Sequence, residues 1–102
     1  MDEELEILTG EIQALIDAPV EGERAPSLAL LEDTLTTGYA RALALEAERA
    51  RLERRIGSEL EAGATAELSQ LARVRARVDA QSVSLRALLS RLRIRASELR
   101  AA

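Results

Sequence analysis

The sequence predicts an all-α fold: a long antiparallel helical hairpin of coiled-coil type, with a short N-terminal helix packed at its open end. Three observations lead there. Alanine and leucine supply 19 and 18 of the 102 residues, with glutamate and arginine next, which is a helix-forming composition. A single aromatic residue, Tyr39, and few β-branched residues leave little from which to build strands. Apolar residues also recur at spacings of three and four through three segments, and two groups of helix breakers separate those segments.

The whole chain reads as one helical domain. The first helix is expected over residues 2–17, where Leu5, Leu8, Ile12, Leu15 and Ile16 fall on one stripe. Asp2, Glu3 and Glu4 open it, at the end where the helix dipole favours acids. Gly10 weakens it by up to ~1 kcal/mol relative to alanine. A helix this short is marginal alone, so its stripe must bury against something.

The linker, 18–26, contains Pro19, Gly22 and Pro26, and proline cannot continue a helix from either side. The second helix is expected over 27–61, capped by Ser27. One heptad row runs Leu28, Leu35, Ala42, Arg49, Ile56, and the other Leu31, Gly38, Leu45, Leu52, Glu59. The turn is 62–65, with Gly63 suited to the left-handed conformation and Thr65 to capping the third helix. That helix, 66–99, carries the unbroken row Leu71, Val78, Leu85, Leu92, Leu99, beside Val74, Gln81, Leu88 and Arg95.

Two long helices joined by so short a turn must lie antiparallel. Folding about Gly63 pairs residues whose numbers sum to roughly 126, so that Leu52 faces Val74 and Ile56 faces Leu71. These four should form one buried cluster. The exception in the seam is Arg49, which approaches Val78 and Gln81 beside Ser82. Arg49 and Gln81 are therefore the polar seam, with Arg49 expected to reach out to Glu46 or Glu53.

Charge is strongly segregated along the chain. Residues 1–33 hold ten acids and one arginine, whereas 69–102 hold eight arginines and two acids, within a net charge of −4. The expected use is internal, with Asp2, Glu3, Glu4, Glu6 and Glu11 meeting Arg86, Arg91, Arg93 and Arg95. A net charge this mild gives no reason to expect a nucleic-acid partner. No apolar run approaches the ~20 residues that cross a bilayer, and the acidic beginning lacks the pattern of a secretory signal. A cytoplasmic location, with no membrane, is the expectation.

The missing residue types narrow the chemistry. Without cysteine or histidine there is no thiol nucleophile, imidazole base or zinc site of the usual kind. No catalytic, metal-binding or cofactor-binding residue is assigned, and no cofactor is expected. The stretch Thr34-Leu35-Thr36-Thr37-Gly38-Tyr39 forms helix poorly. Its Gly38 and Tyr39 should accommodate the first helix as it folds back. Arg86, Arg93 and Arg100 recur at sevens and could form a basic stripe for nucleic acid.

The run from Leu43 to Gly57, with Arg49, Arg51, Arg54 and Arg55, resembles the long first helix of the all-helical chorismate mutases. That resemblance implies a small helical enzyme, dimeric and arginine-using, with two or more arginines in a deep pocket. The chain departs from the family in having no lysine, which the mutase site uses with its arginines. No active site is assigned on this basis.

The expected function is instead that of a non-enzymatic helical interaction or scaffold protein. A two-helix hairpin has no enclosed interior, so each helix keeps an apolar flank. Leu30, Tyr39, Leu43, Val83 and Ile94 are the interface candidates, and the expected partner is a second copy, a dimer first, or another helical protein.

Overall fold

A computed structural model of the chain describes residues 3–101. Those residues are all helical apart from the linker and turn, in three helices: α1, Glu3–Asp17; α2, Leu28–Glu61; and α3, Leu68–Ala101. The two long helices pack as a hairpin and α1 contacts α3. Asp2, placed at the start of the first helix by the sequence, lies outside the described residues.

The ends of the helices follow from local chemistry. The Ser27 hydroxyl accepts a hydrogen bond from the Leu30 amide at 3.1 Å, and its carbonyl accepts from Leu31. The first contact satisfies an amide that the start of α2 would otherwise leave open, and the second is the first regular bond of the helix. At the other end Gly63 has φ +71°. Its amide donates to the Leu60 carbonyl, and the Ala64 amide reaches back to Glu59 at 3.0 Å. This is the Schellman pattern, which glycine permits because it has no Cβ to clash.

The third helix starts later than the sequence suggested. Thr65 accepts from the Leu68 amide through its carbonyl, closing a tight turn over residues 66–67. The first α-helical bond then runs from Leu71 to Glu67. The helix also continues past Leu99 to Ala101, because Arg100 and Ala101 are good helix formers.

The described chain falls into two compact units, one built from residues up to Ala40 with those from Leu85 on, the other from Arg41–Ser84. In the first unit, three helices share a core. Ile12, Leu31, Leu85, Leu89 and Leu92 are fully buried there, together with Leu5, Leu8, Ile16, Leu35 and Ala96. Gly38 is buried on the seam, and a Cβ added to it would overlap a δ-methyl of Leu89. The neighbour that needs this space is α3, not α1 as expected from the sequence.

The second unit has only two helices, and its core is thinner. Ala42, Leu45, Leu71, Val78 and Ser82 are buried. Leu52, Ile56 and Val74, expected in one buried cluster with Leu71, are only half-buried. With no third helix beside them, seam residues here keep one flank in water. Leu60 is 59% exposed.

Candidate interaction surface

The surface left open to a partner is what the internal contacts do not use. In the first unit, Arg95 serves α1. Its Nε donates to the Ile16 carbonyl at 2.8 Å, and an Nη donates to the carbonyl of Ala18. The last carbonyls of a helix have no partner within it and carry its negative dipole end, so a guanidinium fork suits them doubly. No basic residue of α1 itself stands in its last turn to serve these carbonyls.

Tyr39 is half-buried under Arg86, whose guanidinium carbon lies 5.7 Å from the ring centroid. Arg100 reaches Glu32 at 3.0 Å. The threonines that interrupt the helical pattern of α2 bond back to the preceding turn, Thr34 to Leu30 and Thr36 to Glu32. Between α1, the linker and α2 runs a groove of about 350 Å³, lined chiefly by Ala14, Leu15, Ala18, Pro26, Leu30 and Thr34. Glu11 and Arg24 are its charged residues, so it holds one arginine.

In the second unit, Arg49 is the centre of a polar flank. Its Nη1 donates to Asp79 at 2.7 Å, and its Nε lies 3.7 Å from Glu53, which Arg75 also approaches. The hydrogen bond that Arg49 donates to Asp79, and then the charge of Asp79, raise the Arg49 pKa above the ordinary arginine value. Ser82 donates to Glu46 at 3.5 Å, and Arg55 pairs with Glu67. Glu53 is the neighbour anticipated from the sequence. Asp79 was not, although it is one of only two acids after residue 68 and the hairpin register brings it opposite Arg49. Gln81, the other member of the polar seam, is half-buried and makes no side-chain hydrogen bond among the described residues.

The remaining candidates are all accessible. Leu30 is 49% exposed and Ile94 61% in the first unit, and Leu43 and Val83 are 61% and 62% exposed in the second. Ile7, on α1, joins them at 58% and was not anticipated.

Part of the internal charge pairing expected from the sequence does not form among the described residues. Among the described residues, Glu3, Glu4, Glu6 and Glu11 make no ion pair with Arg91, Arg93 or Arg95, and all four acids are exposed. The cause is rotational. The buried stripe Leu5, Leu8, Ile12, Ile16 turns these acids away from α3. Arg95 is occupied by carbonyls and by Glu98 at 3.6 Å.

Among the described residues, no helix is long and apolar enough to cross a membrane. No protein-family model, no curated protein and no solved structure matches this chain.

Proposed function

We propose that this is a non-enzymatic, cytoplasmic helical interaction protein that self-associates, or docks another helical protein, through its apolar flanks. The observation that carries this reading is the exposure of Leu43 and Val83 in the unit where only two helices meet. In the same unit Leu52, Ile56 and Val74 are only half-buried. Covering half-exposed aliphatic side chains is worth about 25 cal/mol per Å² of apolar surface, and a second pair of helices covers such flanks economically. The groove between α1, the linker and α2 offers a single arginine and apolar walls, which suits contact with a side chain better than chemistry on a bound substrate.

Sedimentation equilibrium tests the reading. The expected result is twice the chain mass, or more, at micromolar concentration. Leu43→Glu with Val83→Glu should weaken the association. A chain that stays monomeric to about 100 μM, too weak for a standard protein interface, would remove self-association and leave only a different helical partner.

A further inference from the structure

In the unit formed by residues 3–40 and 85–101, Ile7 on α1 and Ile94 on α3 are largely exposed. Residues three and four apart on a helix share its surface. Around Ile7 these neighbours are Glu3, Glu4, Gly10 and Glu11, all exposed. Around Ile94 they are Ser90, Arg91, Ser97 and Glu98, with Arg93 adjacent in the chain. Glu98 is taken up by Arg95. Each isoleucine is thus ringed by charge of a single available sign. Glu3, Glu4 and Glu11 have no ion-pair partner among the described residues, and neither do Arg91 and Arg93.

Gly10 adds an independent sign. A Cβ built on it meets nothing within 4 Å, so no internal contact requires a glycine there. It nonetheless sits in the middle of a short helix, where glycine is unfavourable. One turn from Ile7, it leaves a flat place on which another helix can lie closely.

We infer that the two faces are complementary halves of one interface: the Ile7 face of α1 docks on the Ile94 face of α3 in a second copy of this chain. Docking in cis is excluded because α1 already buries its opposite face, Leu5, Leu8, Ile12 and Ile16, within its own unit. Pairing about a twofold axis makes the contact twice, α1 on the partner's α3 and the reverse. Each contact has an aliphatic centre and a rim of opposite charges, the arrangement that gives orientation and specificity. The inference rests on the self-association proposed above and adds a second contact surface to the flank at Leu43 and Val83.

A charge swap on the full chain tests it. One variant carries Glu3→Arg, Glu4→Arg and Glu11→Arg; the other carries Arg91→Glu and Arg93→Glu. All these positions are exposed, and circular dichroism checks that each variant is folded. Each variant alone should dimerise at least about tenfold more weakly than the parent, because like charges now face each other. Their equimolar mixture should recover association, since one contact is then reversed as a pair and the other is native. A dimer indifferent to both variants, but lost in Leu43→Glu/Val83→Glu, overturns this interface and leaves self-association standing. Weakened variants whose mixture does not recover also overturn it. A parent chain that is monomeric throughout overturns both.

Discussion

Arg95 and Ile16 stand 79 positions apart in the chain, yet the guanidinium of one closes the last turn of the helix that contains the other. The side chain of Arg95 is 24% exposed, so this hydrogen bond forms largely out of water. It ties the C-terminus of α1 to a fixed point on α3, while the apolar stripe of α1 sets its rotation.

Replacing Arg95 with alanine leaves the Ile16 and Ala18 carbonyls without these donors. Unfolding by urea should show a loss of about 1–3 kcal/mol. Arg95→Lys should recover only part, because an ammonium lacks the planar fork. An unchanged midpoint for Arg95→Ala would mean that water caps α1 equally well.

Two glycines should respond in opposite directions to alanine. Gly38→Ala places a methyl into Leu89 and should destabilise by about 1–3 kcal/mol, despite the better helix propensity of alanine. Gly10→Ala meets nothing and should stabilise dilute, monomeric protein by about 0.5–1 kcal/mol. Thermal melts of the two variants, run side by side, check the contrast. Equal signs would refute the close approach of α3 to Gly38.

Core truncation should grade with burial. Leu89→Ala removes a fully buried side chain and should cost about 2–5 kcal/mol. Ile56→Ala, at a half-buried position, should cost clearly less. If the two losses matched, some contact must already cover Ile56 in solution.

The Arg49–Asp79 pair should be sensitive to salt and insensitive to pH over the neutral range. A guanidinium whose folded pKa is raised contributes stability throughout the range below its unfolded pKa, and that stability is lost only as pH rises through the folded value. Both values lie far above neutrality. Asp79→Asn should therefore lower stability modestly at low salt and similarly at pH 6 and pH 9, with the effect fading at 1 M salt. A difference that grew between those two pH values would point to another titrating group.

The heptad rows made the hairpin legible, along with its register. Gly38 meets Leu89, and Arg49 meets Asp79, within a residue or two of a fold centred on Gly63. Ser27 and Gly63 also act as their residue types suggest. Other features could not be read from residue types. The role of Arg95 depends on backbone carbonyls, which every helix has and no residue letter marks. The acids of α1 and the arginines of α3 are complementary in sign, but sign along a chain carries no information on rotation. The apolar stripe of α1 decides which way its acids point, and aliphatic burial outweighs exposed ion pairs in setting that rotation. Leu52, Ile56 and Val74 were overestimated as core because a seam pattern does not say how many helices will cover it.

The thinning of the core toward Gly63 sets the order of folding against the order of stability. Residues flanking the turn are close in sequence, so closing them costs little chain entropy and can happen within microseconds. What they gain in burial is also small. Contacts such as Arg95 with Ile16 close a far longer loop and come late, but they belong to the unit with the fully buried side chains. Amides near the turn should therefore be among the first to form and the first to exchange with solvent deuterium, whereas those around Leu89 and Leu92 should open only with the whole fold.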